Sequence, residues 1–173
     1  MMIFTKEKTK QAKTRESIGY RYSVTGVFGY VFFCGSQKLC AVSSMVALSP
    51  TIWMDGYGLR WKSDFDQEST IVPGLTRYIH SDSDTSVARV VYRGCGEYEI
   101  VGFATVRYDE NSYSFFRDGK VIAQIGRYRG ETVWLPEAME RNYKPWFVAE
   151  WNQELDQESR LLILSFPMLK FGS

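Results

Sequence analysis

Three segments of the chain share one alternation of apolar and polar positions. Each begins with an aromatic strand, continues through a polar turn and ends in a strand that carries Ala one residue past an apolar position. The clearest copy spans residues 113–125, residues 30–42 repeat it with one extra turn residue, and residues 78–90 are a looser version. A repeated supersecondary pattern constrains the architecture of a chain. The pattern predicts a protein built largely from β-hairpins.

Turn signals between the apolar runs support the same interpretation. Asp118-Gly119 is a strong hairpin signal, because a type I′ turn requires positive φ at both central positions. Residues 103–108 and 146–151 alternate as strands do. Aromatic residues make up 16% of the chain and fit a pleated, half-buried surface. Most of the chain is therefore expected to form short antiparallel strands.

The C-terminal segment has a different pattern. Residues 154–171 predict a helix, with Asp156 and Glu158 near its start and Lys170 at its end, as the helix dipole favours. Residues 161–166 are apolar on nearly every side, which requires burial all round or a membrane. The run is shorter than the roughly 20 residues of a membrane span. Because Pro167 interrupts helices, a buried strand is the alternative for residues 161–166.

The two patterns together predict the fold. A sheet with one apolar face must cover it, and a closed barrel both removes edge strands and can enclose an apolar helix. We therefore expect a mainly β protein, a closed antiparallel β-barrel of hairpins wrapped around a buried hydrophobic C-terminal helix. Residues 18–173 would form this single domain, after a basic, partly flexible leader at residues 1–17. Three small residues are expected where the wall meets the helix: Ala41, Ala88 and Ala123.

Charge and cysteine content narrow the function classes. The formal net charge is +1, so no strong global field attracts nucleic acid, and an anion site would need a local patch. The three cysteines form no C-x-x-C pair, which favours reduced, packed thiols, with a Cys34–Cys40 bridge across the first hairpin as the alternative. Neither a secretory signal nor a transmembrane run is recognisable, so we expect a cytoplasmic protein.

Few residues are candidates for chemistry. His80 is the only histidine and has no recognisable catalytic or metal-binding partner. Asp82 and Asp84 could hold a hard cation, but a Ser-rich turn explains them more simply. The tryptophans could line a pocket, although packing is the simpler role for Trp53, Trp61, Trp134, Trp146 and Trp151. No set of acid, base and nucleophile stands out, which favours a non-enzymatic role without cofactor or metal.

One basic group is the candidate binding site. Arg117, Lys120, Arg127 and Arg129 cluster in sequence around the clearest hairpin. Arginine forks match phosphate oxygens, so such a patch could bind phosphate or a lipid headgroup. The neighbouring glutamates make ordinary solvated charge the competing explanation. On a regular strand Ile122 would lie on the face of Lys120, opposite Ala123 and Arg127.

The hairpin at residues 118–125, its looser partner at residues 85–90 and the terminal segment at residues 156–169 resemble the tubby C-terminal-like superfamily. That superfamily includes the LURP-one-related proteins and the phospholipid scramblases. The resemblance implies a closed antiparallel barrel around a central hydrophobic helix. It also implies a non-enzymatic module that binds membrane phospholipid headgroups or a protein partner. The superfamily's phosphoinositide-binding residues have no position-by-position match here. The alternative is a barrel that binds a small hydrophobic ligand, if the helix leaves its interior open.

Overall fold

The computed structural model describes residues 14–24, 26–45, 51–65, 76–110, 112–129, 143–151 and 154–170. These residues form twelve strands followed by one helix. The strands are β1 (Thr14–Val24), β2 (Val27–Cys34), β3 (Gln37–Met45), β4 (Ile52–Gly56), β5 (Leu59–Phe65), β6 (Thr76–Ser81), β7 (Ser86–Gly94), β8 (Glu97–Ile100), β9 (Ala104–Asp109), β10 (Ser112–Arg117), β11 (Lys120–Arg127) and β12 (Lys144–Trp151). The helix is α1 (Gln157–Leu169).

The sheet closes on itself. Each strand pairs antiparallel with its neighbours in the chain, and β1 pairs with β12 to complete the ring. Closure satisfies the backbone hydrogen-bonding groups that an edge strand would leave unpaired. The predicted fold class, a closed antiparallel β-barrel with a C-terminal helix, is confirmed.

The apolar run at residues 161–166 is helical, so the buried-strand alternative is wrong. Asp156 caps the start of α1, and its Oδ1 accepts a hydrogen bond of 2.7 Å from the backbone N–H of Ser159. Pro167 lies in the last turn and does not end the helix, which continues to Leu169. The backbone N–H of Lys170 then donates to the carbonyl of Phe166 at 3.1 Å.

Helix α1 lies inside the barrel. The Phe166 ring packs edge-on against Tyr98 of β8 and against Tyr113 and Phe115 of β10. From β2, the Tyr30 hydroxyl donates a 2.8 Å hydrogen bond to the carbonyl of Leu164. Both Leu164 and Phe166 are completely buried. Contacts with strands on different sides explain why the helix is apolar all round, since each buried side chain contributes about 1.5–3 kcal/mol.

The three repeated segments are the hairpins β2–β3, β6–β7 and β10–β11, so the hairpin recurs every fourth strand. Each contains a β-bulge at the corresponding place, where the second strand carries one extra residue: Leu39, Val87 or Ile122. The residue after each bulge packs in or against the core: Cys40, Ala88 or Ala123. The sequence repeat therefore encodes a bulged hairpin that places two consecutive residues against the core.

The bulges overturn two expectations. Ala41 was expected to face the helix, but it packs on the outer wall in a separate cluster with Tyr20, Val31 and Phe33. Ile122 and Ala123 were expected on opposite faces, but both are buried in the core. A bulge adds one residue, so it exchanges the two faces for every residue that follows it.

The structure gives the positions of the first strand and of the helix relative to the expected leader and domain. Strand β1 begins at Thr14, inside the range expected for the leader, and α1 lies within the expected residues 154–171. Residues 1–13 of the leader lie outside the described residues. The hypothetical Cys34–Cys40 bridge is absent, since Cys34, Cys40 and Cys95 are all free thiols.

Candidate functional site

The two ends of the barrel are different. The turns of β2–β3, β4–β5, β6–β7, β8–β9 and β10–β11 lie at one end, called here the turn end, where α1 begins. The guanidinium of Arg160, in the first part of α1, lies 5.7 Å from the ring centroid of Trp151 there. Helix α1 ends at the opposite end, called here the mouth, which is lined by Arg21, Glu110, Arg127, Trp146 and Lys170.

The mouth contains a cavity of about 390 Å³. Its inner part is formed by apolar and aromatic side chains of the wall and of the last helical turn: Phe28, Tyr30, Phe147, Pro167 and Met168. Because a water molecule occupies about 30 Å³, the volume equals that of about a dozen waters. The cavity can therefore hold a small polar molecule or a lipid headgroup, but not the acyl chains of a phospholipid as well.

Two arginines of the mouth share one indole ring. Arg21 lies opposite Tyr30 in the β1–β2 register, and opposed residues share a face, so Arg21 is directed toward the barrel interior. Its guanidinium carbon lies 4.0 Å from the Trp146 ring centroid, and that of Arg127 lies 4.8 Å from the same ring. Each contact contributes about 0.5–1 kcal/mol and holds the charge at the cavity.

The third cation of the mouth comes from the helix. The Lys170 Nζ atom lies 4.2 Å from the ring centroid of Tyr108 and 5.5 Å from that of Tyr113. Burial raises the pKa of Tyr113, with a smaller contribution from Tyr108, so the Tyr113 phenol is neutral at physiological pH. The charge of the mouth therefore comes from its cations and from Glu110.

In the part of the chain that the structure describes, these cations have no carboxylate partner. Among the described residues, no ion pair or hydrogen bond joins Arg21, Arg127 or Lys170 to an acidic side chain. Three other cations of the described barrel are paired: Arg60 with Asp55 and Asp82, Lys62 with Asp84, and Arg93 with Glu99. The mouth is therefore a place where positive charge is concentrated and left unneutralised by the described part of the protein.

The four basic residues predicted from sequence are divided between the ends. Arg117 and Lys120 face each other across the β10–β11 turn, and the Arg117 Nε donates to the Phe103 carbonyl at 3.1 Å. Arg127 lies at the other end of β11, roughly 23 Å away at the usual rise of a strand, and Arg129 follows it. The structure places Arg127 in the mouth together with Arg21 and Lys170, which were not among the predicted site residues.

The other residues that the sequence offered as candidates for binding or chemistry mostly pack against the core or the wall of the barrel. Trp61 and Trp151 lie in the core, Trp53 is 44% exposed on the wall, Trp146 lines the cavity, and Trp134 is outside the described residues. His80 stacks on Tyr78 at 6.4 Å on the outer wall. In the described ranges, no group of three or more His, Cys, Asp or Glu residues could hold a metal ion. Burial raises the pKa of the Cys40 thiol to about 12, as expected for a core cysteine rather than a nucleophile.

None of the helices in the described part of the chain has the length and apolar character needed to cross a membrane. The chain matches no protein family, no curated protein and no solved structure. The function is therefore inferred from the mouth itself, the one cavity described here in which unpaired cations, aromatic rings and an apolar floor meet.

Proposed function

We propose that the protein is a non-enzymatic barrel of the tubby-like type that binds the anionic headgroup of a membrane phospholipid at its mouth. One observation carries the proposal: Arg21 and Arg127 lie over one indole with no carboxylate partner among the described residues. Arg21 is half-buried and Arg127 is exposed. A partly desolvated cation without a counter-charge gains more from an incoming anion than a fully solvated cation does. Guanidinium forks also match the oxygens of a phosphate.

The architecture supports this class of module. A closed barrel with an apolar C-terminal helix in its interior agrees with what the tubby-like resemblance implies. A likeness of fold does not locate a site, so the mouth is chosen on its own geometry. In this proposal the binding surface includes Arg127 and Arg129 of the predicted patch, but not Arg117 and Lys120.

A headgroup is favoured over a purely hydrophobic ligand. Helix α1 occupies the barrel interior, and the cavity lies at the end where the three cations are found. An apolar ligand would remove water from those cations without neutralising them, which is unfavourable. The apolar floor instead suits the carbon atoms that connect a phosphate to the rest of a headgroup.

The surroundings of the mouth favour a membrane as the source of the headgroup. Arg129 and Lys144 are exposed, and Lys144 lies opposite Arg21 in the β1–β12 register. A basic residue near an anionic leaflet contributes about 1 kcal/mol of attraction. Such residues would bring the mouth to the anionic cytoplasmic leaflet, in agreement with the expected cytoplasmic location.

Vesicle sedimentation tests the proposal. Vesicles of phosphatidylcholine, with and without phosphatidylserine, would be mixed with the wild type and with the double variant Arg21→Gln/Arg127→Gln. The wild type should bind the phosphatidylserine vesicles in a salt-sensitive manner. The double variant should bind roughly tenfold or more weakly, because two cations contribute about 1 kcal/mol each.

The matched control is Arg117→Gln/Lys120→Gln, which removes the same charge from the turn end and should bind like the wild type. Equal losses in the two double variants would show that general charge, and not the mouth, attracts the membrane. Failure of the wild type to bind either vesicle would overturn the membrane function. Circular dichroism of each variant confirms that the barrel is intact.

A further inference from the structure

Glu110 is the single carboxylate among the described residues that line the cavity of the mouth. It lines the same space as Arg21, Arg127 and Lys170, yet it forms an ion pair with none of them. An acid and three cations around one cavity would normally neutralise each other in part. Here they stay apart, so the cavity presents positive and negative groups at separate places.

The backbone of Glu110 and the ammonium group of Lys170 contact the same tyrosine. Glu110 follows β9, in a backbone conformation with a φ of 23°. The hydroxyl of Tyr108 donates a 3.2 Å hydrogen bond to the Glu110 carbonyl, and the Tyr108 ring lies under the Lys170 ammonium. Tyr108 therefore connects the acidic and the basic parts of the rim.

A carboxylate in an anion site changes which anions are accepted. It repels a simple phosphate and so reduces the affinity that the three cations provide. It attracts a ligand that carries a positive group close to its phosphate, because that group meets the carboxylate while the phosphate meets the arginines. Specificity is a difference between two affinities, and a repulsive group contributes to it as much as an attractive one.

We propose that the mouth selects a headgroup in which a primary ammonium group lies a few atoms from the phosphate, and that Glu110 is the residue that determines this specificity. This inference rests on the proposed function, since it names the ligand class of the same site. The phosphate is bound by Arg21 and Arg127, and the ammonium by Glu110. The lipid stays in the membrane, because the cavity accommodates the headgroup alone.

The test compares two soluble phosphates that differ chiefly in the ammonium group, phosphoethanolamine and ethyl phosphate, by isothermal titration calorimetry. The wild type should bind phosphoethanolamine roughly threefold more tightly, as one exposed ion pair allows. Glu110→Gln should remove this preference by strengthening the binding of ethyl phosphate and weakening that of phosphoethanolamine. The control Asp109→Asn removes the same charge from the neighbouring exposed residue, which does not line the cavity, and should keep the preference.

The outcomes separate the two proposals. Equal binding of both phosphates by the wild type, or an equal loss of preference in Glu110→Gln and Asp109→Asn, overturns the selection by Glu110 and leaves the headgroup site standing. Vesicle binding without binding of either soluble phosphate also overturns it, because recognition would then not involve the cavity. Absence of binding to vesicles and to both phosphates overturns the proposed function as well.

Discussion

The turn end and the mouth of this barrel differ in the groups that their cations contact. At the turn end Arg60 lies 3.7 Å from Asp55 and 4.0 Å from Asp82, and Arg117 donates to a backbone carbonyl. At the mouth Arg21, Arg127 and Lys170 contact aromatic rings instead of acids. At the turn end Arg117 and Arg160 also lie near rings, but acids of the chain pair with Arg60 there, whereas the three cations of the mouth have no acidic partner among the described residues. This difference is the reason for proposing the mouth, and not the turn end, as the binding surface.

The largest expected effect concerns the helix that links the two ends. Leu164 is completely buried inside the barrel, so Leu164→Asp would place an unpaired charge in the core. The cost of several kcal/mol is comparable to the whole stability of a domain. The variant should be unfolded by circular dichroism, whereas Gln157→Asp, exposed on the same helix, should remain folded. A folded, monomeric Leu164→Asp protein would contradict an axial helix and with it the comparison of two separate ends.

A smaller effect is expected at the cap of the helix, which belongs to the turn end. Asp156→Ala should lower the free energy of unfolding by about 1 kcal/mol at neutral pH, as measured by urea denaturation. The hydrogen bonds to Ser159 lower the pKa of Asp156, so its contribution is present above the ordinary value of 3.8 and is lost as the pH falls through the lowered pKa. The difference from the wild type should therefore shrink in acid.

Two results would show that the cap does not act in this way. One is a difference that stays constant from neutral pH to acid. The other is an equal loss in Glu154→Ala, which removes an exposed acid just before the cap. Vesicle binding by Asp156→Ala should be unchanged, since the cap is remote from the mouth.

The smallest expected effect tests the difference between a cation with an acidic partner and a cation of the mouth. Arg60→Gln should change the free energy of unfolding by less than about 1 kcal/mol, because the side chains of its ion pairs are more than 60% exposed. It should not change vesicle binding, whereas Arg127→Gln should weaken it at an equal loss of charge. Equal effects of the two variants on binding would show that the arrangement of charge within the barrel does not matter.

Much of the fold could be predicted because it depends on local patterns. The three hairpins follow from aromatic strands and turn residues close together in sequence, and the helix follows from its cap and its continuous apolar run. Local patterns of this kind do not predict the bulges. One extra residue at Leu39 exchanges the two faces of β3, so Ala41 faces outward and Cys40 inward, although both suit either face.

Two residues of the proposed binding surface, Arg127 and Arg129, could be named from the sequence, and of these only Arg127 lines the cavity. Arg127 was found because it follows the clearest hairpin, but a strand separates it from Arg117 and Lys120, its neighbours in sequence. Arg21 and Lys170 lie near opposite ends of the chain. No local signal connects them, since the closure of β1 on β12 and the insertion of α1 are both long-range events.

The sequence by itself determined the hairpins, the terminal helix and the need to bury that helix on all sides, because hydrophobic periodicity and turn chemistry act over a few residues. Only the tertiary structure decided which cations stay unpaired. Pairing depends on distances across the barrel, and these follow from strand register, bulges and closure. The mouth is therefore a product of the closed barrel, although every residue in it looks ordinary in the sequence.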